Sequence, residues 1–161
     1  MENILVAGAN GTTGKKIVNL LETSQYFNPV AMVRKKEQQS QFEDRNIETV
    51  LADLENDVSN ATKNIDKIIF AAGSGGKKVK EVDENGAKKL IDAGKKTNVR
   101  KFVMLSSMGA DSPEEAGDLK DYLKAKQNAD VYLRKSNLPY SIVGPGTLTN
   151  EHGYGKIELS K

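Results

Sequence analysis

Short runs of β-branched and aliphatic residues alternate with longer amphipathic stretches along the whole chain. Six such runs predict strands at 3–7, 30–33, 47–51, 67–71, 101–106 and 140–143. Most are apolar throughout, as in Ile4-Leu5-Val6-Ala7 and Phe102-Val103-Met104-Leu105. Unbroken apolarity of that length suits a parallel sheet covered on both faces. Between the runs, helical spacing predicts a first helix over 12–22, with Ile17, Leu20 and Leu21 on one side. A second covers 77–96 through Val79, Val82, Ala87, Leu90 and Ile91, and a third covers 117–135 through Leu119, Tyr122, Leu123, Ala129, Tyr132 and Leu133. Shorter helices are expected at 37–43 and 54–62, Asn28-Pro29 punctuates entry to the second strand, and Pro139 closes the third long helix. Strands and helices in strict alternation predict an α/β fold: a doubly wound parallel sheet of order 3-2-1-4-5-6, forming a single domain over residues 1–161.

Composition narrows the chemistry. With 24 basic and 22 acidic residues the net charge is only +2, so no overall field draws the chain to nucleic acid or anionic lipid. The lysine pairs are scattered and lack an aromatic-rich basic strand, so neither nucleic acid nor membrane is expected as a partner. Zero cysteines removes disulfides, thiolate metal sites and thiol catalysis; one histidine, His152, cannot make a multi-histidine site, so no metal is expected. His152 reads as a solvent-facing loop residue. No apolar run approaches the ~20 residues of a membrane span, and the expected location is cytoplasmic. Oligomeric state is not legible, although the helix at 117–135 could pack against a second copy.

The strongest local signal is Gly8-Ala9-Asn10-Gly11-Thr12-Thr13-Gly14, directly after the first strand and opening the first helix. The first glycine permits a sharp turn, the second lets backbone approach a diphosphate, and the third lets helix pack close to strand. The helix N-terminus then offers free N–H groups to phosphate. After the second strand stands Arg34-Lys35-Lys36 where a NAD site usually carries an acid. A guanidinium there favours the 2′-phosphate of NADP over NAD, the alternative being a solvated basic helix start. Asp53-Leu54 either meets the adenine or caps the next helix, and Ala71-Ala72-Gly73 lets backbone pass beneath the cofactor.

Tyr122 and Lys126 lie four apart, on one face of the third long helix. A nearby ammonium favours the phenolate and would lower a tyrosine's ordinary ~10. Tyr122 also falls on the apolar face, so core packing is the competing reading. Ser106 or Ser107, ending the fifth strand, could hold a substrate oxygen.

Taken in order, 8–14, Val33-Arg34, Asp53-Leu54, 70–73, Val82-Asp83-Glu84-Asn85-Gly86, 105–111, Tyr122–Lys126 and 138–149 resemble the short-chain dehydrogenase/reductase superfamily. The run is most similar to its atypical NAD(P)-binding, epimerase/dehydratase-like subgroup. The resemblance implies an NAD(P)-binding Rossmann fold and maps the catalytic roles onto Ser107 (or Ser106), Tyr122 and Lys126, with Tyr122 as general acid/base. It sets Asp83 where many active members carry asparagine, and implies that Pro145 and Lys126 border the cofactor. Relatives commonly read Arg-Pro-Gly where this chain has Gly144-Pro145-Gly146, and they continue for further elements, so C-terminal elements are expected to be missing. The implied function is an NADP-dependent oxidoreductase or epimerase-like enzyme on a small carbonyl or hydroxyl substrate. The alternative is a catalytically silent NADP-binding regulator or redox sensor.

Overall fold

In the computed structural model, which describes residues 1–159, six parallel strands form one sheet of order β3-β2-β1-β4-β5-β6. The strands are β1 (Glu2–Ala7), β2 (Phe27–Val33), β3 (Glu48–Leu51), β4 (Lys67–Phe70), β5 (Lys101–Leu105) and β6 (Tyr140–Val143). This is the doubly wound α/β topology that the alternating pattern predicts. The order reverses between β1 and β4, which are paired from Ile4–Lys67 to Ala7–Phe70, so a crevice opens beyond their carboxyl ends.

Alternate residues of each strand serve opposite faces. Leu5, Val30, Ile68, Phe70, Phe102 and Met104 point to a layer closed by Leu90, Ile91 and Leu133. Those three belong to helices α3 (Ala87–Lys96) and α4 (Lys120–Arg134). On the other face Val6, Ala31 and Val33 meet Val18 of α1 (Thr12–Glu22) and Phe42 of the short α2 (Ser40–Glu43). Full burial of each such large side chain contributes ~1.5–3 kcal/mol.

Three elements depart from the pattern reading. Pro29 lies within β2 and does not merely precede it. Its missing N–H is tolerated because β3 pairs with β2 only from Val30 onward. The expected helix at 54–62 shrinks to a 3-10 turn, Ser59–Thr62. The helix expected over 77–96 is α-helical only from Ala87; Val79–Gly86 is wound as a π-helix. Gly86 ends that wider stretch where a side chain could not fit, since a Cβ there would lie 2.8 Å from Leu54 Cβ.

Candidate active site

The glycine turn divides into two tasks. At Gly8 the backbone is left-handed, φ +85°, and a Cβ would lie 2.6 Å from Ala72 Cα. A Cβ on Gly14 would lie 2.0 Å from Gly8 O. These two glycines let the protein pack against itself, drawing β1, α1 and the end of β4 together. Gly11 differs. Its φ of −75° and ψ of 167° suit any residue, and a Cβ there would meet only Gly8 O, at 3.3 Å, with open space beyond. What Gly11 leaves room for is outside the chain. α1 begins at Thr12 with no side-chain cap and no acid in its first turn, so its leading N–H groups stay free.

A cavity of about 460 Å³ opens over this turn, lined by Gly8, Asn10, Gly11, Thr12 and Thr13. It continues past Arg34, Asp53 and Leu54 to Ala71, Ala72 and Gly73. Asn10 Oδ1 accepts from Gln41 Nε2 at 2.6 Å. Gln38 Oε1 accepts the backbone N–H groups of Arg34 and Lys35, both at 3.2 Å, which fixes the turn after β2. Among the described residues the exposed Arg34 guanidinium makes no ion pair. Asp53 Oδ1 accepts from Glu55 N at 2.9 Å, so this carboxylate holds a turn while lining the cavity.

The second cavity, about 610 Å³, shares Ala71, Ala72, Gly73 and Gly75 with the first. It is lined by Ser107, Tyr122, Lys126, Asp83 and Pro145. Tyr122 is half-buried at its wall beside Ser107, whose hydroxyl donates to Met108 O at 3.3 Å. Burial, then the charge of Asp83, pushes the Tyr122 hydroxyl above its ordinary value of 10.0, although the Ser107 contact opposes this. Ser106 turns the other way and donates to Asp130 Oδ2 at 2.6 Å in the interior. The π-wound stretch carries Asp83 inward, 1% exposed. Its Oδ2 accepts from Ser74 Oγ at 2.8 Å and from Ser74 N at 3.2 Å, and its Oδ1 faces Lys126 Nζ at 3.6 Å. Lys126 also donates to Leu105 O at 3.4 Å, and its ammonium lies 5.6 Å from the centre of the Tyr122 ring.

The profile of the family described as NAD(P)H-binding matches residues 8–161. The chain belongs to this NAD(P)H-binding family. It is 39% identical to a Bacillus subtilis protein named the uncharacterized sugar epimerase YhfK, over 98% of this chain and 78% of that one. Among solved structures it is similar to a candidate NAD-dependent epimerase/dehydratase from Bacillus halodurans. The TM-score is 0.91 and the identity 39%, covering 97% of this chain and 75% of that one. It is also similar to the oxidoreductase ylbE from Lactococcus lactis, with TM-score 0.85 and 37% identity over 95% of this chain and 73% of that one. The expected kinship with short-chain dehydrogenase/reductase-like proteins holds.

Within this NAD(P)H-binding protein most residues singled out from the sequence converge on the two joined cavities, and two points differ from expectation. Gly14 is buried against Gly8 and does not line the crevice; it acts through close helix–strand packing. The Tyr122 ionisation is raised, not lowered as its spacing from Lys126 implies, because burial first and the Asp83 carboxylate second act against the phenolate, while the Lys126 ammonium faces Asp83. Lys126 and Pro145 line the second cavity, which joins the first along Ala71-Ala72-Gly73. Of the two serines, Ser107 faces Tyr122. Strand alternation carried that signal: Ser106 continues the buried set Phe102 and Met104. Gln38, Gln41, Ser74 and Asp130 escaped the sequence reading. Glutamine carries no pattern, and Asp130 gave one usable sign, an acid on the apolar side of α4 one turn beyond Lys126. Among the described residues, no cluster of three or more His, Asp or Glu side chains could hold a metal, and no helix is long and apolar enough to cross a membrane.

Proposed function

We propose that this chain is an NADP-dependent oxidoreductase or epimerase-type enzyme acting on a small carbonyl or hydroxyl compound. One observation carries the reading: the crevice over the glycine turn and the cavity at Ser107 and Tyr122 share the wall Ala71-Ala72-Gly73. A dinucleotide is long enough to need both, and the open space at Gly11 beside uncapped N–H groups fits a diphosphate. Gly8, Asn10, Gly11, Thr12 and Thr13 would hold the diphosphate, Asp53 and Leu54 the adenine, and Arg34 a 2′-phosphate. The last contact is the argument for NADP over NAD. The epimerase names of the Bacillus relatives and the oxidoreductase name of the Lactococcus relative support the class.

When bound, the nicotinamide supplies hydride exchange at a substrate carbon. Tyr122 handles the matching proton at the substrate oxygen, and the Ser107 hydroxyl orients that oxygen. Because burial and Asp83 hold the phenol neutral at physiological pH, Tyr122 stands ready as a donor, which favours the reductive direction. Lys126, held by Asp83 and Leu105 O, supports the ring of Tyr122.

Tyr122→Phe tests the assignment. NADPH-dependent reduction should fall by about 10²-fold or more, the usual share of a general acid, with NADPH affinity unchanged; equal turnover would remove Tyr122 from the chemistry. A dinucleotide-binding regulator without turnover is the second reading, favoured by the pairing of Lys126 with Asp83. Tight NADPH binding with no carbonyl compound turned over would select it.

A further inference from the structure

Three large apolar side chains that solvent reaches freely meet at the mouth of the second cavity. They are Met108 after β5, Leu119 just before α4 and Leu148 after β6, exposed by 63%, 60% and 59%. They come from three separate stretches of chain, so their meeting is a property of the fold. Below them Leu123 and Pro145 continue the apolar wall down to the hydroxyls of Ser107 and Tyr122. Among the described residues the charged side chains lining this cavity are Asp83 and Lys126, both buried and facing each other at 3.6 Å. Its walls thus offer apolar surface and the uncharged hydroxyls of Ser107, Tyr122 and Thr147, that of Ser106 being turned inward to Asp130.

We infer that the compound presented to Tyr122 is an uncharged carbonyl carried on an apolar ring system, not a sugar nucleotide. Exposed apolar side chains around a concave site gain by covering a ring. A diphosphate would leave its charges against Met108, Leu119 and Leu148, where among the described lining residues the one cation, Lys126, already faces Asp83. The inference rests on the proposed oxidoreductase reading. In that step the carbonyl carbon gains a hydride from the reduced nicotinamide dinucleotide and its oxygen gains the Tyr122 proton. C=O becomes CH–OH, the dinucleotide is oxidised, and Tyr122 regains a proton from water.

The test is calorimetric titration of the protein with NADP⁺ first, then of the NADP⁺ complex with 2-acetonaphthone and separately with UDP-glucose. The aryl ketone should bind and UDP-glucose should give no heat. The double variant Leu119→Ala, Leu148→Ala should weaken the ketone roughly tenfold or more, with the melting temperature and NADP⁺ affinity unmoved. If that variant melts early, Met108→Ala alone, in an exposed loop position, should weaken the ketone severalfold. Tighter binding of UDP-glucose than of the ketone, no ketone binding, or ketone affinity indifferent to these side chains overturns the inference while NADP⁺ binding stands. Failure of NADP⁺ itself to bind removes the parent reading and this one with it.

Discussion

Gly11→Ala and Gly14→Ala add the same methyl group three residues apart and should have opposite consequences. At Gly14 the new Cβ would lie 2.0 Å from Gly8 O, so α1 must move away from β1 by about 1 Å to restore contact. Such overpacking against backbone costs at least ~1–3 kcal/mol. For a domain of this size that lowers the melting temperature by roughly 2–12 °C. At Gly11 the backbone is already in a region open to any residue, and the single neighbour stands at 3.3 Å. The loss of a small cap preference and the gain from a stiffer unfolded chain are each under ~1 kcal/mol and opposite in sign, so the melting temperature should stay within about 3 °C. NADPH binding should respond the other way. A methyl group between the diphosphate and the leading N–H groups of α1 removes two or so charge-assisted hydrogen bonds of ~1.5–3 kcal/mol each, a loss of about 10²-fold or more in affinity. Thermal melts and titration of NADPH fluorescence check both. Unaltered NADPH affinity in Gly11→Ala, with its melt also unaltered, would refute a diphosphate seated on this turn.

Arg34→Ala should weaken NADPH by about 10- to 100-fold, the worth of a charge-assisted phosphate contact, and leave NADH within threefold; parallel losses would deny 2′-phosphate recognition. Asp83→Asn removes the negative charge that helps hold the Tyr122 phenol up, so its ionisation should move down while burial keeps it above the ordinary value of 10.0. Phenolate absorbance against a Tyr122→Phe control reads this, and an unmoved titration would exclude the coupling. Asp130 is buried with Oδ1 unpartnered, and burial pushes its carboxyl above the ordinary 3.8. The folded state therefore holds this proton to higher pH than the unfolded chain, and stability falls as pH rises through that interval. Asp130→Asn should melt at the same temperature as the parent below about pH 4 and increasingly higher above it; a pH-independent difference would contradict the account.

The parallel α/β class was legible because buried parallel strands write themselves as unbroken apolar runs. Their order came from the right-handed crossover rule and not from local sequence, and Gly8-Ala9-Asn10-Gly11 marked the strand-to-helix turn without excluding a purely structural one. Tyr122 and Lys126 were legible as neighbours from their spacing of four. Their electrostatic relation was not, because it depends on Asp83, some forty residues earlier, being swung inward. Helical spacing alone reads 77–96 as a single α-helix; nothing in Val79-Lys80-Glu81-Val82 announces the wider winding that brings Asp83 to Ser74 and Lys126. Strand 2 was read too short because Pro29 was treated as a stop, while the staggered start of β3 leaves room for it.

That wider winding also bears on how such a protein changes over generations. A π-wound turn holds about one residue more than an α-wound one. Deleting a single codon upstream of Asp83 can therefore tighten the coil and leave α3 seated on the sheet, while the carboxylate rotates out of reach of the ammonium. The ion pair thus depends on one residue of backbone length as much as on the identity of its two members.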